Sequence, residues 1–159
     1  MDVLSSLENS GFSVWLKESN SIWGYATVLT LHTIGLALLV GANAVLDLRL
    51  LGVARRLPLE DLLGAFRIMW VGFWVNAVSG AMLFAADATT KGTTPLFMGK
   101  LVLVAIGVVV IVMTRRQVYG STPDRPRVNT AAKVLAATSL LVWIAAITAG
   151  RLMAYVYNS

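Results

Sequence analysis

Four stretches of this chain contain no Asp, Glu, Lys or Arg at all: residues 19–46, 68–86, 101–114 and 134–150. A helix needs about 20 largely apolar residues to cross a bilayer. The third run reaches that length if the side chain of Lys100 extends along the helix toward the interface. The expected spans are 22–46, 64–86, 96–115 and 132–156, within one transmembrane domain over 22–157. Aromatic residues suited to the membrane interface stand at their ends: Trp23, Tyr25, Phe97, Tyr155 and Tyr157.

Composition agrees. Of 159 residues, 57% are hydrophobic and 13% charged, against about 25% charged in an ordinary soluble domain. The mean hydropathy is +0.75. Too little polar material is present to coat a water-soluble fold, which excludes a disordered chain, a soluble enzyme of ordinary composition and a coiled coil. The expected class is an all-α membrane protein, an up-and-down bundle of four transmembrane helices.

Residues 1–21 begin with acidic Asp2 and Glu8 and lack the pattern of a signal peptide. Leu4, Leu7, Phe12, Trp15 and Leu16, set between polar residues, predict a short helix lying at the membrane surface. The stretch Arg56-Leu57-Pro58-Leu59-Glu60-Asp61 predicts a helix start near Pro58. Gly120-Ser121-Thr122-Pro123-Asp124-Arg125-Pro126 reads as a turn-rich loop.

The absence of cysteine excludes disulfides and thiolate metal sites within the chain. The net charge of +5 comes from 13 basic and 8 acidic residues. With no zinc-finger, RNP or P-loop pattern, nucleic acid is not an expected partner, and the basic excess reads as loops facing anionic lipid. Arg49, Arg55, Arg56, Arg67, Arg115, Arg116, Arg125, Arg127 and Lys133 fall in the two connections on one side; Lys17, Lys91, Lys100 and Arg151 fall on the other. Nine against four places the basic hairpins in the cytoplasm and both termini outside, periplasmic in a Gram-negative cell.

At about 1.5 Å per residue, His32, Asn76 and Trp143 share the bilayer midplane, with Gly107 the nearest match on the third span. A midplane histidine is costly unless it faces the bundle interior. Two readings stand for His32: helix glue bonded to Asn76 or a backbone carbonyl, or a ligand to haem iron or a proton carrier. Lys100 and Arg151, with Tyr155 on the stripe of Arg151, form a second layer. Either these cations snorkel, one of them pairing with Asp87, or they make an anion-binding mouth for a carboxylate, a haem propionate or a quinone headgroup. At the other side Asp47, Arg49 and Arg67 are expected to form a charge clamp, with Asp47 paired to Arg67. Gly72, Asn76 and Gly80 lie on one stripe, Thr33, Ala37 and Gly41 on another, and Ala146 and Gly150 on a third. Small residues at these spacings let helices approach closely.

The blocks Leu31-His32-Thr33-Ile34-Gly35-Leu36-Ala37 and Asp47-Leu48-Arg49-Leu50-Leu51-Gly52 resemble a bacterial family of four-helix inner-membrane proteins of unknown function. Trp70, Gly72, Phe73, Ser79-Gly80 with Phe84, Pro95 with Phe97 and Lys100, and Gly150-Arg151 with Tyr155 continue the resemblance, which covers residues 22–156. More remotely, the layout is similar to CopD-type copper-resistance proteins and cytochrome b-type four-helix membrane proteins. The nearer resemblance implies a fold and a membrane address but no activity.

No Ser-His-Asp set, paired carboxylate or metal cluster stands at useful depth, so soluble-type enzyme chemistry is not expected. The leading expectation is a non-catalytic membrane subunit or self-associating scaffold without a cofactor, surrounded by lipid and forming a homo-oligomer or joining a membrane partner. The alternatives are a redox or ligand-carrying bundle with haem b or quinone beside His32, and an oligomeric transporter or channel.

Overall fold

The computed structural model describes residues 3–18, 24–53, 55–120 and 126–156. Of the residues read above, Met1, Asp2, Trp23, Ser121 to Arg125 and Tyr157, and the side chains of Phe12 and Lys17, lie outside that description. Among the described residues, seven α-helices follow in order: α1 (Val3–Glu8), α2 (Gly11–Glu18), α3 (Tyr25–Leu51), α4 (Ala65–Ala86), α5 (Ala88–Gly92), α6 (Pro95–Tyr119) and α7 (Thr130–Val156). A 3-10 turn, Asp61–Gly64, leads into α4. The described residues contain no strand.

The helices α3, α4, α6 and α7 are each long and apolar enough to cross a membrane. They also carry their apolar surface outward. Leu31, Ile34, Leu38, Val71, Trp74, Val78, Val102, Val109, Leu141 and Ile144 are all exposed. In water so much contiguous apolar surface would drive association; against lipid tails it costs nothing.

Two helices outrun the expected spans. The first continues to Leu51 rather than 46, and the third to Tyr119 rather than 115. A charge ends an apolar run but not a helix: Asp47 and Arg49, and Arg115 and Arg116, occupy further helical turns. What stops α3 is Gly52, in left-handed conformation at φ 95°, where a Cβ would be strained. Its N–H donates to Arg49 O (3.1 Å) and Val53 N–H donates to Leu48 O (3.0 Å), closing a Schellman cap. At the start of α6, Pro95 occupies the first turn, where its missing N–H is no loss. The helix expected to begin near Pro58 begins instead with the 3-10 turn at Asp61.

Packing is pairwise. α3 lies along α4, α6 along α7, and the two pairs join through α3 and α7. α4 and α6 therefore flank an open seam, clasped at each end by aromatic rings. Phe84 stacks on Phe97 with centroids 5.0 Å apart. At the arginine-rich end Phe66 meets Tyr119 edge-on at 5.7 Å. The Tyr119 hydroxyl donates to Leu59 O at 2.7 Å, tying the α3–α4 connection to α6.

The N-terminal segment forms two short helices rather than one, and they cap the end of α4. Leu16 is buried with Val28, Leu83 and Ala86. The Ser13 hydroxyl is fully buried between Leu7 O (2.9 Å) and Ala85 O (3.1 Å). Glu8 Oε2 accepts from the N–H and the hydroxyl of Thr89 on α5.

Candidate functional site

His32 on α3 and Asn76 on α4 are brought together as their depths predict. Each side chain reaches the other's backbone. His32 Nδ1 lies 3.0 Å from Asn76 O, and Asn76 Nδ2 donates to His32 O at 2.8 Å. Ser79, which the sequence marks only through the family resemblance and not as part of a site, completes the group, with its Oγ 3.1 Å from His32 Nδ1. The Ser79 hydroxyl donates to Val75 O at 2.6 Å, so toward the ring it offers a lone pair. Both Nδ1 neighbours are then acceptors, and the neutral imidazole carries its proton on Nδ1. Nε2 keeps the lone pair, with Asn76 Nδ2 at 3.4 Å, too long for a strong bond.

The ring rests on Gly80, where an added Cβ would lie 3.0 Å from His32 Cε1 and 3.4 Å from Nδ1. Two turns away Gly72 lets α3 approach. Thus Gly72, Asn76 and Gly80 all serve the α3–α4 contact. Ser79 was findable in principle: it follows Asn76 by three residues, on the same helix face.

Trp143 does not join this group. It is buried at 2% exposure on α7 and lies against Gly107 of α6, where a Cβ would come within 2.8 Å of the indole. Its Nε1 has no hydrogen-bond partner. The expected single layer is therefore two separate contacts, one in each helix pair, because depth along a helix does not fix which face a side chain occupies.

The expected charge clamp is corrected in the same way. Asp47 is buried at 1% exposure and makes no ion pair with Arg49 or Arg67. It accepts from Asn43 Nδ2 at 2.6 Å, and the same amide donates to Ser139 Oγ on α7 at 2.7 Å. Asp47 Oδ1 has no partner. Its helix face carries buried Asn43, Leu46 and Leu50 and points into the bundle, whereas Arg67 is exposed on α4. Arg49 instead donates to Leu57 O. Asn43, Asp47 and Ser139 form a buried polar bridge between α3 and α7.

At the opposite end, Lys100 lies over Gly150, its Nζ 3.7 Å from where a Cβ would stand. Arg151 is exposed and Tyr155 is 80% exposed, so these three residues do not enclose a mouth. Asp87 pairs with Lys91 at 2.9 Å. Gly41 has nothing within 4 Å of a Cβ position and stands on an exposed face of α3. No group of three or more His, Cys, Asp or Glu able to hold a metal occurs among the described residues.

Four apolar spans define a multi-pass helical membrane protein, in which His32 and Asn76 tie α3 to α4 and Asn43 and Ser139 tie α3 to α7. The chain belongs to the family described as Family of unknown function (DUF6644), whose sequence model matches residues 13–156. No curated protein and no solved structure matches it.

Proposed function

We propose that this protein is a non-catalytic, self-associating subunit of the bacterial inner membrane, with its two arginine-rich hairpins in the cytoplasm and its termini outside. One observation carries the reading. Ala26, Thr30, Thr33, Ala37 and Gly41 follow one another at spacings of three or four along α3, and all are exposed. Lipid-facing helix surfaces gain nothing from small residues, whereas helix–helix contacts do. The Thr30 and Thr33 hydroxyls donate to Ala26 O (2.8 Å) and Leu29 O (3.0 Å), so the stripe presents smooth surface with its polar groups satisfied. The comparable stripe on α4 is already used within the chain; this one is open to a second copy. The nine-to-four distribution of Lys and Arg supports the orientation.

Cross-linking or energy transfer between labelled copies in nanodiscs tests this. Gly41→Leu and Ala37→Leu should abolish the intermolecular signal while helical content is kept. Val78→Leu, on an exposed face of α4, should leave it unchanged. Equal behaviour of all three variants would overturn the proposal.

A second reading, haem b at His32, is favoured by the lone pair on Nε2, which meets only the long 3.4 Å contact from Asn76 Nδ2, since a ligating imidazole holds its other nitrogen on a carbonyl in just this manner. A quinone carbonyl fits less well, because it requires a donor. Protein purified in mild detergent would then show a Soret band that His32→Ala removes; a colourless, fully folded protein overturns that reading.

A further inference from the structure

Between α4 and α6 at the arginine-rich end lies a cleft of about 340 Å³. Arg115 and Arg116 line its mouth and Trp70 and Ile111 its wall. Below it Trp70 and Ile111 close on Leu39, Met69, Phe73 and Val108, which leave a hollow of only about 10 Å³, so the cleft ends at that level. Neither arginine has a carboxylate partner among the described residues. Arg115 leans over the Phe66 ring, its guanidinium carbon 5.9 Å from the centroid, which keeps the cation beside the opening. From Ile111 to Gly120 the helix spans about 14 Å, close to the half-thickness of a hydrocarbon core of about 30 Å. The cleft thus has the length of one leaflet, a cationic mouth at headgroup level and an aromatic, aliphatic wall.

We propose that this seam is a binding site for an anionic phospholipid of the surrounding bilayer. Its phosphate sits on Arg115 and Arg116, and one acyl chain runs along Trp70 and Ile111 toward the midplane. Arginine suits this role because its planar fork meets two phosphate oxygens together. The lipid closes an opening that the chain's own helices leave between α4 and α6. The site is independent of self-association, which uses the far face of α3.

Tryptophan quenching by brominated lipid in nanodiscs tests the site. Brominated phosphatidylglycerol should quench Trp70 more than brominated phosphatidylcholine, and Trp70→Phe should remove that excess. Arg115→Gln with Arg116→Gln should lower the preference for the anionic lipid by about twenty-five-fold, taking roughly one factor of five for each arginine near the surface. Arg55→Gln with Arg56→Gln, exposed at the same end but outside the cleft lining, should change it little. Ile111→Trp, which fills the cleft, should block it with both arginines present. Equal quenching by the two lipids, or a preference that survives Arg115→Gln/Arg116→Gln, would overturn the proposal. So would an equal loss from the Arg55/Arg56 pair, which would reduce the effect to general surface charge.

Discussion

Gly35 and Gly72 meet backbone to backbone where α3 crosses α4. A Cβ on Gly35 would stand 2.6 Å from Asn76 N and 2.9 Å from Gly72 O; one on Gly72 would stand 2.6 Å from Leu39 N and 2.7 Å from Gly35 O. Neither obstacle is a movable side chain, so the helices themselves would have to separate. That would also pull Asn76 away from His32. Gly35→Ala and Gly72→Ala should each lower stability by about 1–3 kcal/mol or more, measured by unfolding in mixed micelles. Gly41→Ala, with open space around it, should be neutral. Comparable losses at all three positions would show that the close crossing is not what holds the pair.

His32 and Gly80 should behave as a coupled pair. The imidazole occupies the space above Gly80, so Gly80→Ala pushes the ring by a few tenths of an ångström and strains its bonds to Asn76 and Ser79. Interhelical hydrogen bonds in membranes contribute about 0.6–1.7 kcal/mol, and a loss of that order is expected for Gly80→Ala alone. In a His32→Ala background the same methyl enters a vacated space and should restore stability. A double-mutant cycle reads the sign directly; additive losses would mean that the ring does not rest on Gly80.

The parts of this arrangement that the sequence made legible are those that depend on distance along a helix. Four charge-free runs specify four spans, and counting ten residues in from each end brings His32 level with Asn76. Rotation about the helix axis is a different quantity. It placed Trp143 against Gly107 instead of His32, and Asp47 against Asn43 instead of Arg67. A signal for the second was present, since Asn43 and Asp47 are four residues apart and so share a face, but the charge of Asp47 drew attention to the arginines. Hydropathy does not fix the ends of α3 and α6, because it marks where hydrocarbon stops and both helices continue beyond it. The open α4–α6 seam had no sequence signal at all, because it arises from which helices pack, not from what any one helix contains.

Asp47 should depend more on its donors than on its own charge. Its contacts are an amide and, through that amide, a serine hydroxyl; no cation faces it. Asp47→Asn keeps an acceptor for the Asn43 amide and replaces a buried acid that no cation faces with a neutral amide, so stability should change by less than about 1 kcal/mol or rise. Asn43→Ala strips the carboxyl of its donor in a buried setting and should cost about 1–3 kcal/mol. A severe loss in Asp47→Asn with a mild one in Asn43→Ala would mean that a cation holds the carboxylate.

Trp143 sets two effects of opposite sign against each other. Its indole N–H is buried without an acceptor, a state that costs about 1–3 kcal/mol. Its rings fill the space above Gly107, where an added Cβ would lie 2.8 and 2.9 Å from two ring carbons. Trp143→Phe removes the orphaned donor but also part of the packed surface, so the two changes should nearly cancel, within about 1 kcal/mol of the parent. Trp143→Ala loses the packing without compensation and should approach the 3–5 kcal/mol typical of large aromatic truncations. Gly107→Ala should be destabilising beside Trp143 and tolerated beside Phe at that position, because the smaller ring vacates the site of the new methyl. Thermal unfolding of the four variants in one detergent separates these terms. If Trp143→Phe proved as damaging as Trp143→Ala, the N–H would have to be hydrogen-bonded in the membrane, and the α6–α7 contact would be polar rather than a matter of fit.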